Sequence, residues 1–519
     1  MSDALSRRQF MGLLGAGAAS TVHGVNQPVF GGSGRREAEL LELTALEAVA
    51  LMRSGALTAE AYATALLDRA RALQLLKALI SQDAARVLEA AHEADQRRAR
   101  GRGLRPLHGL PVLIKDNVNT AALTTTAGTP GLGNNRPLRD AVVVSALLGA
   151  GAILFGKSNM HELAFGITSN NAAFGAVRNP YDPSLIPGGS SGGNGAAVAA
   201  RMVAASVGTD TGGSTRIPAA LCGIVGFRPT IGRYPGTGTQ AGVVDVVPIS
   251  HTRDTPGPMA RSVADVALLD AVITDGWPRT SPENLHHSVN LRHLRLGIDR
   301  RHFFENLDHE LEEVIDEALR RLRHHGVTLV EVDILDLAAL NAAVGFPVTI
   351  FEAGVDLPIY LAANGTGITI QELAGQIASP DVAFAISQLV LGGAVPEAVY
   401  LNALQVERPK LQRAYQQAFD DFGIHALIFP TTPLPARPIG QDQTVELNGQ
   451  QVPTFLTYIR HTDPGANAGI PGLSLPAGLS RSGLPVGLEL DGPAGSDHRL
   501  LAIGFAIERI LGSVAAPEI

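Results

Sequence analysis

Apolar and polar positions along the chain follow two periods, one helical and one extended. Near the N-terminus the period is helical. Thr44 and Glu47 form a T-x-x-E capping box that opens a helix through about Met52. The stretch TAEAYATALLDRARAL (58–73) repeats its apolar residues at helical spacing, and a third helix is expected over 83–100. The pattern then changes. PVLIKDNV (111–118) is a short apolar run bounded by turn residues, which predicts a buried strand delivering Lys115 at its end. A helix over 139–149 leads into the strand AGAILFGKSN (150–159). GAAVAARMVAAS (195–206) reads as a helix of small residues built for close packing, and IVGFRPT (224–230) as a strand. RSVADVALLDAVI (261–273) is helical, HLRLGIDR (293–300) begins a strand, and 308–326 is an amphipathic helix ended by Gly326. TLVEVDI (328–334) is a strand, 338–425 is mainly helical, 425–435 is a strand running into a Pro-rich turn, and 472–493 reads as two closing strands. Apolar strand runs alternating with helices predict an α/β fold: a large, mixed, mostly parallel sheet covered by helices on both faces. There is no internal repeat and no long linker after residue 40, so one domain is expected over 36–519.

Composition narrows the function classes. The 519 residues are 45% hydrophobic and 17% charged, within the globular range. The net charge is −8, and no run of Lys/Arg interleaved with aromatics occurs, so no nucleic-acid partner is expected. A single cysteine, Cys222, excludes an internal disulfide and any C-x-x-C site. It is either a reactive thiol or a buried inert one, and its neighbours Leu221, Ile224 and Val225 favour burial. No segment offers 18 uninterrupted apolar residues, so no membrane span is expected in the mature protein. SRRQFMGLLGAGAASTV (6–22) pairs Arg7-Arg8 with Phe10 ahead of a weakly apolar run and resembles a Tat export signal. AGA (16–18) offers a cleavage site, and 25–35 reads as a linker. Residues 1–35 are therefore set outside the fold. Periplasmic localisation is expected, with the cytoplasm as the alternative.

The candidate chemistry lies in PGGSSGGNGAAVAARMVAASVGTDTGGSTRIPAALCG (187–223), which contains no histidine. His161-Glu162 is followed by Phe165 where an H-E-x-x-H zinc motif needs histidine. No G-K-[ST] closes a P-loop, and no G-x-S-x-G elbow surrounds Ser214. What remains is GTDTGGSTRIP (208–218). Its glycines let backbone N–H groups turn inward together, as an oxyanion hole requires, and Ser214 at their end can serve as a nucleophile. A serine needs a base, and a lysine whose pKa is lowered by burial can supply it; Lys115 is placed for that. Each feature alone also reads as an ordinary turn or a solvated lysine.

Taken in order, GLPVLIKDN, PGGSSGGNGAA and GTDTGGSTRIPAALCG resemble the amidase signature family, and the likeness runs from about residue 40 to the C-terminus. Lys115, Ser190 and Ser214 fall on the family's Lys–Ser–Ser triad, with the two serines 24 residues apart as in the family. The resemblance implies that Ser214 is the nucleophile, that Ser190 follows a cis Gly189–Ser190 bond and relays the proton, and that Lys115 is the base. It further implies an oxyanion hole from the N–H groups of Thr211, Gly212, Gly213 and Ser214. An Asp210–Arg216 pair would brace the loop, and Ser191 would support Lys115 or Ser190. Thr215 departs from the aliphatic residue usual after the nucleophile.

The implied reaction is amide hydrolysis through an acyl-enzyme, with no metal or organic cofactor. KDNVNTAALTTTAGTP (115–130), SHTRDTPGPMARSVADVALLDAVI (250–273) and YIRHTDPGANAGIPGLSLPAGL (458–479) are similar to the family's indoleacetamide and mandelamide hydrolases. A primary arylacetamide is therefore the expected small-molecule partner, acted on by a monomer or homodimer. In the family's layout Phe165, Ile167 and Thr168 would line the acyl pocket; Phe165 reads equally as core. Asp463 and Asn467 would approach from the other side. A periplasmic peptide C-terminal amidase or aryl acylamidase is the alternative. An amidotransferase subunit, or a non-catalytic binding protein on the same fold, is a further one.

Overall fold

Local chemistry fixes the first helix. The Thr44 hydroxyl accepts the Glu47 N–H (3.2 Å), and the Glu47 carboxylate accepts the Thr44 N–H (2.9 Å). The helix Ala45–Ser54 follows and ends at Gly55, whose φ of +80° suits glycine. Helices Ala59–Ala72 and Ala84–Ala99 complete the N-terminal layer. The computed structural model describes residues 38–235, 245–276, 285 and 289–519. The leader expected at 6–22 and the linker expected at 25–35 lie outside the described residues. Leu40–Ile519 form one compact unit.

Eleven strands build the main sheet. In chain order they are β1 (Leu79–Ser81), β2 (Pro111–Lys115), β3 (Ile153–Ser158), β4 (Ala205–Asp210), β5 (Val225–Arg228), β6 (Thr255–Ala260), β7 (Arg295–Ile298), β8 (Thr328–Glu331) and β9 (Ala426–Pro430), with β12 (Gly472–Leu479) and β13 (Pro485–Asp491) last. The pair β10 (Thr444–Leu447) and β11 (Gln450–Pro453) forms a separate hairpin. The sheet order is β1-β3-β2-β4-β6-β5-β12-β13-β9-β7-β8. The sheet is mixed, as expected, but not mostly parallel. Only β2/β3, β2/β4, β7/β8 and β7/β9 pair in parallel; the other six neighbouring pairs are antiparallel. The cause is local. β12 and β13 are joined by a tight turn, which permits only antiparallel pairing. β6 inserts between β4 and β5, antiparallel to both.

Helices lie on both faces. A Cβ added at Gly487 of β13 would come within 2.4 Å of the Cβ of Ala220, so helix Arg216–Cys222 packs tightly there. Pro476 pairs with Gly487, and Leu473, three residues from Pro476, points to the opposite face. There Leu473 fills the space over Gly504 of helix Asp497–Leu511. The helix expected over 195–206 instead spans Gly192–Ala199. Arg201, at φ +61°, leaves the helix, and β4 starts at Ala205. Cys222 is fully buried, and burial pushes its thiol above the usual range, so it is the inert alternative.

The helix Leu337–Ala363 is long and apolar enough to cross a membrane by length and composition. It carries Pro347 and Pro358, however, and turns its buried Glu352 and Asp356 onto the strap Ser250–Thr252. It also buries Val344 and Val348 in a core cluster with Phe303 and Phe429. These contacts make it a helix of the folded core.

Candidate active site

Every residue of β2 is buried, so Lys115 at its C-terminal end is carried into the protein interior. Its Nζ donates to Ser190 Oγ (2.7 Å) and to Thr209 Oγ1 (2.9 Å). Burial pushes Lys115 down to about 7, against the opposing pull of the Asp210 and Asp254 carboxylates. Asn117 Nδ2 donates to the same Thr209 hydroxyl (3.1 Å).

The Gly189–Ser190 peptide is cis. The Ser190 carbonyl accepts the N–H of His161 (3.1 Å) and the hydroxyl of Ser169 (3.4 Å). The Ser191 N–H donates to the Ser214 carbonyl (3.1 Å), tying the two serine segments together. Ser191 reaches neither Lys115 nor Ser190 with its side chain. Its hydroxyl bonds the Thr209 carbonyl (3.1 Å) and accepts the Thr209 N–H (3.3 Å), so it fixes the residue that holds Lys115.

Ser214 sits in the turn between β4 and helix Arg216–Cys222 and is 7% exposed. Asp210 shapes that turn. Its carboxylate accepts the N–H of Gly213 (2.8 Å), the N–H of Thr215 (3.1 Å) and the Thr215 hydroxyl (2.9 Å). Thr215 therefore has a role an aliphatic residue could not fill. Gly213, at φ +137°, has no space for a side chain, because an added Cβ would lie 2.2 Å from Thr462 Oγ1. Of the four expected oxyanion donors, one is engaged elsewhere. The Gly213 N–H is already donated to Asp210, while those of Thr211, Gly212 and Ser214 make no hydrogen bond among the described residues.

Beneath the turn lies a buried charge cluster. Arg216 forms a two-pronged pair with Asp210 (3.1 Å each) and also donates to Glu489 Oε1 (2.8 Å). Arg228 joins Asp210 from the other side (3.2 Å). Burial alone would raise Asp210, but Arg216 and Arg228 outweigh it and hold the carboxyl well below the usual range. Burial pushes Glu489 up to about 7 despite Arg216. Removing the Asp210 charge leaves the buried Arg228 without its carboxylate partner and Arg216 with Glu489 alone. Asp210→Asn is expected to cost about 3–5 kcal/mol of stability, measured by urea denaturation at pH 7.

The segment Ser250–Asp254 braces the oxyanion turn from outside. Asp254 accepts the Thr211 hydroxyl (2.6 Å) and the N–H groups of Ile249 and Ser250. Arg253 pairs with Asp463, which sits against Gly212: a Cβ there would be 2.7 Å from Asp463 Oδ1. Asn467 donates to Asp463 Oδ2 (2.9 Å). Asp463 thus lies behind Gly212, while Asn467 holds Asp463 and Asn341. Among the described residues, His251, Glu352 and Asp356 form one group at metal-ligand separation. All four carboxylate oxygens already accept hydrogen bonds from His251, Ser250, Thr252 or Tyr400. The cluster is an ion-paired strap.

Of the expected pocket residues, Phe165 is half-buried and packs on Met160, Ala164 and Ile249. Ile167 is buried with Ile217, three residues beyond Ser214. The buried Thr168 donates its hydroxyl to Asp442 (2.7 Å) and so braces the segment. Sequence reasoning missed Thr209, Asn117, Arg253, Asp254 and Arg228. All five lie within quoted stretches, yet nothing local marks their partners.

The Amidase family model matches residues 61–501. The chain is 44% identical over 454 residues to an indoleacetamide hydrolase of Agrobacterium vitis, covering 88% of this chain and 94% of that protein. It is 41% identical over 495 residues to a mandelamide hydrolase of Pseudomonas putida, covering 92% and 93%. A solved peptide amidase from Stenotrophomonas maltophilia superimposes with a TM-score of 0.74 at 29% identity, covering 92% of this chain and 98% of that one.

Proposed function

The chain belongs to the amidase signature family and hydrolyses the C–N bond of carboxamides, and we propose that its substrate is a primary amide of an aryl-acetic type acid. The observation that carries the mechanism is the buried Lys115 Nζ at 2.7 Å from the hydroxyl of Ser190, in the segment tied to Ser214. Neutral Lys115 takes the Ser190 proton as Ser190 takes that of Ser214, and Ser214 Oγ attacks the amide carbonyl. The N–H groups of Thr211, Gly212 and Ser214 receive the oxyanion. The proton returns through Ser190 to the amide nitrogen, the C–N bond breaks and ammonia leaves. Water, deprotonated by the same relay, then releases the acid. The aryl preference is supported by the relatives' activities and by Phe165 beside Ile249. The catalytic domain spans 36–519, and the Arg7-Arg8 leader supports periplasmic export, with the cytoplasm as the alternative.

The test is ammonia release from indole-3-acetamide, mandelamide, phenylacetamide, a peptide C-terminal amide and glutamine. The arylacetamides are expected to lead by at least tenfold in kcat/KM, of the order a filled apolar pocket supplies (~10–200-fold). A lead for the peptide amide would favour the second reading, a periplasmic peptide C-terminal amidase, which the leader and the similarity to a peptide amidase support. A lead for glutamine would contradict both.

A further inference from the structure

The segment from His161 to Asn170 carries three non-glycine residues at positive φ: Leu163 (+52°), Ala164 (+62°) and Ser169 (+55°). Such backbone persists only where its surroundings hold it, and it concentrates at functional sites. Both ends of the segment grip the Ser190 carbonyl, through the His161 N–H and the Ser169 hydroxyl. On the outside the segment holds a distant stretch of chain. The Glu162 carboxylate, fully buried, accepts the N–H groups of Ala378 (3.1 Å) and Ser379 (2.7 Å). His161 Nε2 lies 3.0 Å from Asp381 Oδ2. The Ala172 N–H donates to Ser379 Oγ (3.2 Å). These contacts dock the short helix Pro380–Phe384 and the π-helical turn Ala385–Val390 that follows it. π-Turns recur at functional sites.

Phe165 lies where the two layers meet. On one side it packs on Ile249, whose N–H is held by Asp254, the brace of Thr211. It also packs against the cluster that contains Val382 and Ile386 from the docked cover, against which Val390 packs too. Phe165 therefore lies between the Ile249 segment and the cluster that the cover joins.

We propose that Asp381, acting through His161, is a positioning residue for acyl-group specificity: it latches the cover 380–390 against Phe165, so that large aromatic acyl groups depend on it and small ones do not. The inference rests on the reading of Ser214 as an amidase nucleophile with its acyl pocket at Phe165. Asp381 is well placed for a clean test, since its side chain is 40% exposed and no core packing is lost with it.

The experiment compares full-length wild type, Asp381→Ala and Asp381→Asn on phenylacetamide and acetamide. Asp381→Ala is expected to lower kcat/KM for phenylacetamide about tenfold, mainly through KM, and to change that for acetamide less than about twofold. Asp381→Asn keeps an oxygen that accepts from His161 and is expected to recover most of the loss. Equal falls on both amides, or no fall on either, would overturn the latch while leaving the amidase reading intact. Wild type inactive on both amides would overturn that reading, and the latch with it.

Discussion

Ser214→Ala is expected to release no ammonia above background from any arylacetamide, a fall of at least about 10⁴-fold in kcat. The size follows from the arrangement. Lys115 and Ser190 can move a proton, but without the Ser214 hydroxyl they have no nucleophile to activate and no acyl-enzyme to form. The substitution removes one oxygen from a residue whose backbone remains held, because the Ser214 carbonyl still accepts the Ser191 N–H. Asp210 still shapes the turn through Gly213 and Thr215. Stability should therefore stay within about 1 kcal/mol of wild type. A steady-state ammonia assay paired with thermal denaturation separates loss of chemistry from loss of fold.

The second large effect belongs to Lys115. Lys115→Met should lower kcat by about 10³-fold or more, since among the described residues Lys115 is the base that hydrogen-bonds the Ser190 hydroxyl. In the wild type the sign of the pH dependence is fixed by the role. A base must be neutral to accept a proton, so kcat/KM should rise with pH through about 7 and then level off. Asp254→Asn removes one of the two carboxylates that oppose the effect of burial, so it should move this limb to lower pH. Stability carries the same signature. Between about 7 and the ordinary lysine value, the unfolded chain binds a proton that the folded one does not. Stability contributed by this site therefore rises with pH across that window, and the rise is lost in Lys115→Met. A kcat/KM profile flat across pH 5–9 would argue against Lys115 as the base.

The sequence made some of this visible and hid the rest for physical reasons. The capping box at Thr44–Glu47, the amphipathic helix over 308–326 and the buried run ending at Lys115 all carry strong periods, and the structure places elements there. β4 and β6 were not legible. ASVGTD is built of small residues that suit a helix or a strand alike, and TPGPMA carries the prolines and glycine of a turn. The antiparallel insertion of β6 between β4 and β5 followed from those two strands. In the site, Lys115, Ser190 and Ser214 stood out because their motifs are long and ordered. The supporting groups did not, because their partners are remote in sequence. Arg216 meets Glu489 across 273 residues, and His161 meets Asp381 across 220. Nor can a run of glycines show which N–H is already taken, as that of Gly213 is by Asp210.

The central claim is that Ser214 carries the acyl group. It is tested most directly by reacting the active protein with a fluorophosphonate and locating the adduct by peptide mass spectrometry. One label per chain on Ser214, appearing in step with the loss of ammonia release, is the predicted result. Loss of activity with the label on Ser190, Cys222 or any other residue would contradict it.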